Sequence, residues 1–401
     1  MMKKTLSLLC LIVFFVSFKI HASDNIKDGP WRFELKTNYA AIPFVIDFKW
    51  VGGRLEGILN NGKEKIKLDD ISYVKDKIFI HIQAYELRME LDVQNKKNVV
   101  GDLIRLNKNP PMSNKVTGKH GISHRFPGDK IQSSIKLGGR WAIDMIDEND
   151  VKSKGVLLFW QKGNEINGTI LTPTGDYRYF DGFISDNNFE AASFDGVYNY
   201  LIRGKIIGGV LEATLLSNNI TKIFGKRDPK AEIPDPYSQT QVGKLDFVFP
   251  TLKGKMINLK NPKFQNKPVI VQIFGSWCPN CLDELNFLIP WYEANHKRGI
   301  EVIALAFERS LSHEDAKYQL SKVQAKFQIP YTILLAGYTA EDKPAEKLPT
   351  IKNFISFPTT IFLNKKHEVV KVHAGFTGPS TGPYYEKFKK EFTEITDQLL
   401  K

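Results

Sequence analysis

Two cysteines three residues apart lie between an apolar run and a helix-like stretch, and this pair constrains the fold more than any other feature. Cys278 and Cys281 follow the apolar run 269–274 and precede the stretch 282–292. At the start of a helix, unpaired N–H groups and the helix dipole favour a thiolate. The second cysteine would lie one turn further along, where it can close a disulfide with the first. The spacing therefore predicts thiol–disulfide exchange at a strand-to-helix turn.

The cysteine pair has two other interpretations that the sequence leaves open. A CxxC pair can be half of a zinc site, but zinc takes about four ligands and the chain has no second pair. The pair could also form a purely structural disulfide. The one remaining cysteine, Cys10, lies in the N-terminal segment. We therefore expect no bound metal and no cofactor.

Residues 1–22 have the features of an export signal. Lys3 and Lys4 precede the apolar run 6–18, and Ile20-His21-Ala22 offers a small-residue cleavage site. The apolar run is shorter than the ~20 residues that span a membrane. We therefore expect cleavage and a periplasmic chain; the alternative is an uncleaved segment that anchors the chain to the inner membrane.

The formal charge of the whole chain is +12. A basic surface can indicate nucleic acid, an anionic membrane face or acidic partners. The lysines are scattered among acids, however, and the chain contains no arginine-rich run and no nucleic-acid motif. We expect a solvated basic surface and no nucleic-acid partner.

The first half of the chain is dense in short alternating runs, which predict β-strands. Two β-rich modules are expected, residues 24–125 and residues 138–226, because the segments repeat. Gly29-Pro30-Trp31 resembles Gly139-Arg140-Trp141, and a glycine follows each tryptophan after 26 or 27 residues, at Gly57 and Gly168. What this half binds is not indicated.

Two further expectations concern the same half of the chain. Residues 106–137 are rich in lysine, proline, glycine and serine, and are expected to connect the two modules or to cross between sheets. Four tryptophans are expected to anchor the core: Trp31, Trp50, Trp141 and Trp160.

The second half alternates strands with helices. Residues 227–239 are rich in proline and aspartate and predict a linker. Residues 240–401 then predict a mixed sheet covered on both faces, with a final hairpin and helix. The fold class is therefore multidomain, with an all-β N-terminal region of two related modules and a C-terminal α/β domain.

Residues 240–401 resemble the TlpA/ResA branch of the thioredoxin superfamily, which contains membrane-side disulfide reductases of bacteria. The resemblance is carried by four features: Phe274-Gly275-Ser276-Trp277-Cys278-Pro279-Asn280-Cys281, the acid Glu284, Phe357-Pro358-Thr359-Thr360, and Gly375-Phe376-Thr377-Gly378-Pro379. The last of these is similar to Bacteroidota-type forms, in which strand-rich N-terminal extensions occur. A thioredoxin-like C-terminal domain is implied.

The resemblance also implies a role for each matched residue. Cys278 would be the attacking thiolate, and Cys281 would resolve the mixed disulfide and leave the redox disulfide Cys278–Cys281. Glu284 would take up or return the proton of Cys281. Pro358, with a cis bond before it, would belong to the catalytic site and aim a backbone edge at the substrate. The substrate-binding residues would be Trp277, Phe357 and Thr359.

Two positions depart from the family pattern. Asn286 stands where the family has a helix-kinking proline, and Pro290 follows four residues later, so that the kink is expected to shift by a turn. Gln272 stands where thioredoxin has a buried acid, and an amide cannot accept a proton. Acid–base assistance would then come from Glu284 or water. Considered on its own, Glu284 could be an exposed acid on a helix, and Pro358 could lie in an ordinary turn.

The function expected from these features is enzymatic. The chain would reduce disulfides of exported proteins and be re-reduced by a membrane thiol donor; cytochrome c maturation is the best-known use of the family. One alternative is a disulfide oxidant or isomerase, and another is a partner-binding envelope protein with an accessory redox domain. A peroxidase is disfavoured because Gly275 stands where a threonine is needed. The substrate, the direction of electron flow and the oligomeric state are not indicated.

Overall fold

A computed structural model describes most of the chain. The described residues are 26–68, 70–82, 87–106, 110–128, 133–238, 243–309, 312–339, 344–351 and 353–401. The predicted export signal, residues 1–22, lies outside them. Two barrel-like antiparallel sheets are followed by a domain with a five-stranded sheet and helices. The predicted class, an all-β region followed by an α/β domain, is confirmed.

The first sheet curls into a barrel of nine described strands. They are β1 (Gly29–Lys36), β2 (Ala41–Val51), β3 (Arg54–Asn61), β4 (Glu64–Leu68), β5 (Asp70–Val74), β6 (Lys77–Ile82), β7 (Leu87–Asn95), β8 (Asn98–Arg105) and β9 (Met112–His120). The strand order is β4-β3-β2-β1-β9-β8-β7-β6-β5. The two edge strands, β4 and β5, are consecutive in the chain, so the sheet curls back on itself. Alternate side chains, among them Trp31 and Phe44, fill the interior.

The second sheet is a closed barrel. Its strands are β10 (Gly139–Asp147), β11 (Lys152–Lys162), β12 (Glu165–Thr172), β13 (Gly175–Asp176), β14 (Phe180–Ser185), β15 (Asn188–Phe194), β16 (Asn199–Ile207), β17 (Val210–Leu216) and β18 (Ile220–Arg227). The order runs β11-β10-β18-β17-β16-β15-β14-β12, and β12 pairs with β11 to close it. The short β13 folds back onto the end of β12.

The first tryptophan of each barrel has the same environment. The indole Nε1 of Trp31 donates to the carbonyl of Lys27 at 2.9 Å, and that of Trp141 donates to the carbonyl of Leu137, also at 2.9 Å. Both tryptophans are buried. The shared hydrogen bond supports the repeat that the sequence indicates.

The second and third strands of each barrel also correspond. Phe48 pairs with Gly57 between β2 and β3, and Phe159 pairs with Gly168 between β11 and β12. In each pair the phenylalanine ring occupies the space beside the glycine: an added Cβ would lie 3.2 Å from Phe48 and 2.3 Å from Phe159. The matched glycines in the sequence are therefore explained by packing against a buried ring.

Two expectations for this half were wrong. Trp160 is 43% exposed, because its neighbour Phe159 points into the barrel and adjacent residues of a strand face opposite sides. Residues 112–120, inside the predicted connection, form β9 and pair with both β1 and β8. The Lys- and Ser-rich composition of this segment fits a strand because alternate side chains face solvent.

The two barrels are joined by a buried arginine. The guanidinium of Arg125 donates to the carbonyl of Asn60 at 2.8 Å and to the side chain of Asn61 at 3.1 Å in the first barrel. It also pairs with Asp181 of the second barrel at 2.9 Å. Nearby, the rings of Phe44 and Phe194 lie 4.2 Å apart across the same junction.

The C-terminal domain has a mixed sheet in the order β23-β22-β21-β24-β25. These strands are β21 (Val269–Phe274), β22 (Glu301–Glu308), β23 (Thr332–Tyr338), β24 (Thr359–Leu363) and β25 (Val369–Ala374). The helices are α1 (Pro279–Asn295), α2 (His313–Phe327), α3 (Pro344–Lys347) and α4 (Pro383–Leu400). A small hairpin, β19 (Val248–Pro250) with β20 (Met256–Asn258), precedes the sheet.

The sheet of the C-terminal domain is covered on both faces. One apolar cluster joins β21 and β22 to α1, α2 and α4. The opposite face packs against residues 245–264 and against Leu348 and Ile351. Strands β21, β22 and β23 are parallel; β24 runs antiparallel to β21, and β25 runs antiparallel to β24. Within the described residues, no helix is both long enough and apolar enough to cross a membrane.

We expect Gly168→Ala to destabilise the second barrel. The added methyl would lie 2.1 Å from the carbonyl oxygen of Leu158 and 2.3 Å from the ring of Phe159, so backbone and ring must move. Overpacking of this kind costs about 1–3 kcal/mol. Urea denaturation followed by tryptophan fluorescence measures the loss. The control is Gly128→Ala, whose methyl would meet Phe183 at an ordinary 3.6 Å; equal midpoints for the two variants would contradict the packing argument.

Candidate redox site

The two cysteines lie at the turn from β21 into α1 and are joined in a disulfide. Cys278 is the N-cap of α1, and its sulfur accepts a hydrogen bond from the backbone N–H of Cys281 at 3.2 Å. Pro279 occupies the first turn, where its missing N–H leaves no donor unsatisfied. The first turn contains no acidic residue. The same N–H and the helix dipole would stabilise a negative charge on the Cys278 sulfur.

Both cysteines are buried in this disulfide form. Cys281 is fully buried, as expected for the second cysteine of the pair, and Cys278 is only 2% exposed. Reactive cysteines usually lie in partly exposed positions. The geometry at Cys278 is therefore more closed than the sequence alone suggests.

Glu284 lies one helical turn beyond Cys281 and is buried. Its carboxylate accepts a hydrogen bond from the Gln272 amide at 2.7 Å and another from the Thr360 hydroxyl, also at 2.7 Å. Gln272 and Thr360 are directly paired across β21 and β24. The alternative of an exposed helix acid is therefore wrong, since apolar packing and two donors enclose this group.

The pKa of Glu284 is raised from 4.5 to about 7. Burial is the main cause, because it disfavours the charged form, and the hydrogen bonds from Thr360 and Gln272 act in the opposite direction. A carboxyl group of this pKa can take up or release a proton near neutral pH. Gln272, whose amide cannot accept a proton, serves as a donor to Glu284.

The loop before the cysteines is held by a second buried carboxylate. The backbone N–H of Ser276 donates to Glu308 at 2.9 Å, and its hydroxyl donates to the other carboxylate oxygen at 2.5 Å. Ser276 and Glu308 are both buried. Sequence reasoning missed Glu308; the available signal was an acid at the end of the apolar run 302–307.

Trp277 is fixed on three sides. Its indole Nε1 donates to the carbonyl of Phe307 at 2.9 Å, and its ring meets the ring of Phe357 edge-on at 5.2 Å. The guanidinium of Arg309 lies 4.1 Å from the centre of the indole ring. Trp277 and Phe357 both remain partly exposed beside Cys278.

The Phe357–Pro358 peptide bond is cis, as the resemblance implied. Pro358 is buried, and its carbonyl accepts a hydrogen bond from the backbone N–H of Gly375 at 2.8 Å. Thr359 is fully buried, and its hydroxyl donates to the carbonyl of Ser356 at 2.7 Å. The structure thus brings Phe357 to Trp277, but it turns the Thr359 side chain inward.

The helix departure identified in the sequence is present in α1. Pro290 lies inside the helix. Because proline lacks an N–H, the carbonyl of Asn286 has no helical hydrogen bond from that position. That the kink of the helix shifts by one turn with this proline stays a prediction.

One of the two residues between the cysteines contacts the second barrel. The Asn280 side chain donates to the backbone carbonyl of Asp176, in β13, at 3.0 Å. Sequence reasoning missed this contact, because the two residues are 104 positions apart and no local pattern connects them. In the described part of the chain, no cluster of three or more His, Cys, Asp or Glu side chains could hold a metal.

A family model described as Redoxin matches residues 241–387. The C-terminal domain is a Redoxin domain. Thiol-disulfide oxidoreductase ResA of Bacillus thuringiensis subsp. konkukian is 28% identical over 156 residues, which cover 38% of this chain and 79% of the relative. ResA of Halalkalibacterium halodurans is 24% identical over 151 residues, which cover 38% of this chain and 73% of the relative. The resemblance to the TlpA/ResA branch is confirmed for the Redoxin domain.

A solved structure gives a further comparison. The thiol:disulfide interchange protein, thioredoxin family protein, from Chlorobium tepidum TLS is 18% identical. The match covers 41% of this chain and all of that one, with a TM-score of 0.31.

We expect the buried Glu284 to make stability depend on pH. Its folded pKa of about 7 lies above the value of 4.5 for an exposed group, so its contribution is full at low pH and is lost as pH rises through 7. The loss at high pH is of order 3 kcal/mol. Urea denaturation of the disulfide form at about pH 5 and about pH 8 measures it.

The variant Glu284→Gln should lack this pH-dependent loss. The matched control is Glu293→Gln, a change at an exposed glutamate of the same helix, which should follow the wild type. If Glu284→Gln and the wild type lose stability equally between the two pH values, the assignment of the buried titrating group is wrong.

Proposed function

We propose that this chain is an exported thiol–disulfide oxidoreductase that reduces disulfides of other exported proteins. Homology of the Redoxin domain to thiol–disulfide oxidoreductases supports the reaction class. The observation that carries the proposal is a disulfide at a helix N-terminus with a buried carboxyl group of pKa about 7 one turn behind it. A structural disulfide would have no need of such a proton acceptor.

In the first step, the thiolate of Cys278 attacks a substrate disulfide. The substrate S–S bond breaks, a mixed disulfide forms on Cys278, and the released substrate sulfur takes up a proton. The N–H of Cys281 and the dipole of α1 favour the thiolate over the thiol.

In the second step, Cys281 attacks the sulfur of Cys278. The mixed disulfide breaks, the second substrate thiol leaves, and the Cys278–Cys281 disulfide forms, so two electrons have passed to the substrate. Glu284 is the proposed acceptor of the Cys281 proton. Residues three apart on a helix share a face, and a carboxyl group with a pKa of about 7 is partly ionised at neutral pH.

Trp277 and Phe357 are the proposed substrate contacts. Their rings are partly exposed and rigidly placed beside the cysteine pair. Aromatic faces fixed in this way offer contact area at little entropic cost. Pro358 lies beside them and is proposed to belong to the same surface, with Thr359 contributing through its backbone.

The proposed compartment is the periplasm, supported by the export features of residues 1–22. A reductase in an oxidising compartment needs a source of electrons, and a membrane thiol donor is the proposed one. Cytochrome c maturation is one pathway in which such a reductase would act.

Two other functions are consistent with the same observations. An oxidant would run the same exchange in the opposite direction, whereas an isomerase would rearrange substrate disulfides with no net transfer of electrons. The reduction potential of an oxidant would lie nearer to about −120 mV than to about −270 mV, the values of a strong oxidant and of thioredoxin. A partner-binding envelope protein would use the barrels for recognition. Loss of the cellular phenotype in Cys278→Ser would favour the enzyme over the binding protein.

We expect Cys278→Ser to abolish reduction of insulin by the purified chain in the presence of dithiothreitol. A serine hydroxyl is not a nucleophile for disulfides, so the rate should fall to that of dithiothreitol alone. The control is Ser321→Cys, which adds an exposed thiol elsewhere and should not rescue the variant. A wild-type rate equal to that of dithiothreitol alone would overturn the proposed activity.

We expect Cys281→Ser to trap substrates. Without the resolving thiol, the mixed disulfide on Cys278 cannot be released from within the chain. Mass spectrometry of disulfide-linked complexes from periplasmic extracts should identify exported proteins that contain disulfides. The double variant Cys278→Ser/Cys281→Ser is the control. Complexes equally abundant in the control, or no complex at all, would contradict a protein substrate.

A further inference from the structure

The Gly375–Pro379 segment of the Redoxin domain meets the end of the second barrel backbone to backbone. Gly175, in β13, has φ +119°, and Gly375, after β25, has φ +68°. A methyl on Gly375 would lie 2.4 Å from the nitrogen of Gly175 and 2.4 Å from the carbonyl carbon of Thr174. The two segments are therefore closer together than a side chain at position 375 would allow.

Asp176 connects this barrel segment to the redox site through four hydrogen bonds. Its carboxylate accepts from the backbone N–H of Gly378 at 2.7 Å and from the Ser380 hydroxyl at 2.9 Å. Its backbone N–H donates to the carbonyl of Phe376 at 3.3 Å. Its own carbonyl accepts from Asn280, the residue directly before Cys281. Asp176 is buried, so these bonds are shielded from water.

Arg178 adds an ionic contact two residues further on. Its guanidinium pairs with Asp283, on α1, and also with Glu64 of the first barrel at 2.5 Å and Asp195 of the second at 3.6 Å. One side chain therefore contacts acids of both barrels and of the helix that begins at the cysteine pair. Arg178 and Asp195 are buried, and breaking a buried pair is strongly destabilising.

These contacts lie beside a nucleophile that is itself covered. Cys278 is 2% exposed, and Asn280 is buried against β13. Trp277 and Phe357, next to the pair, keep partial exposure. A small disulfide needs little space to reach a thiol, whereas a folded protein needs an open surface around it.

We propose that the second barrel restricts access to Cys278, with Asp176 and Arg178 as specificity-determining residues. In the docked arrangement, the segment of residues 174–178 excludes bulky disulfides, and release of its contacts with Asp283 and residues 375–380 admits them. The inference rests on the proposed function because it concerns the same thiol. It also assigns a role to the Gly375–Pro379 motif, which the exchange chemistry does not use.

The test compares a small and a large reagent of the same chemistry at one thiol. In the Cys10→Ser/Cys281→Ser background, Cys278 is the only cysteine of the chain. N-ethylmaleimide and a polyethylene-glycol maleimide then report access without any substrate. In this parent variant, the large reagent should label Cys278 more slowly than the small one. In urea, the two labelling rates should become comparable.

Arg178→Ala in this background should raise the labelling rate by the large reagent at least roughly tenfold, because a buried charge pair no longer holds the barrel. Asp283→Asn weakens the ion pair between Arg178 and Asp283 by a change on α1 and leaves the barrel residues unchanged. It replaces Arg178→Ala in the test if that variant fails to fold. The matched control is Asp397→Asn, which removes an exposed pair of the same domain with Arg298 at 2.6 Å. Its labelling should equal that of the parent.

Two results would overturn the proposed restriction. One is a parent chain that reacts with the large reagent as fast as with the small one. The other is unchanged labelling by the large reagent in both folded variants, Arg178→Ala and Asp283→Asn. Insulin reduction tests the proposed function separately, since labelling by a maleimide requires no exchange activity.

Discussion

The position of the cysteine pair depends on buried hydrogen bonds that arrive from outside its own turn. Glu308, at the end of β22, holds the backbone and hydroxyl of Ser276, and the carbonyl of Phe307 holds the indole of Trp277. The carbonyl of Asp176 holds Asn280. Buried polar groups must be paired, and a fully paired network fixes a single geometry. Residues of the neighbouring strand β22 and of the second barrel therefore hold the turn that contains the four residues from Cys278 to Cys281.

The electrostatics of the site follow from the same packing. Glu284 is enclosed by apolar side chains, which raise its pKa, and it accepts hydrogen bonds from Gln272 and Thr360, which lower it. The balance places the carboxyl group near pH 7, where proton exchange with a thiol is efficient. The buried acid lies on α1, and its amide partner, Gln272, lies on the central strand β21.

Much of the fold could be predicted because its signals are local. The apolar strand before Cys278, the helical spacing after Cys281 and the turn glycines of the barrels each act within a few residues. The predictions for Trp160 and for residues 112–120 were wrong because side-chain direction and strand pairing depend on neighbours far along the chain. Composition identifies a polar segment but does not say which of its side chains face solvent.

The reaction class can be predicted from local sequence: two cysteines at a helix start, an acid one turn later and a proline before the final hairpin. The sequence also determined the repeat, through tryptophans and glycines at matched spacing. The burial of Glu284, the bonds from Glu308 to Ser276 and the contact of the second barrel with Asn280 depend on tertiary packing. The bond between Asp176 and Gly378 joins residues 202 positions apart. Such contacts arise from packing of whole domains, so no local pattern encodes them.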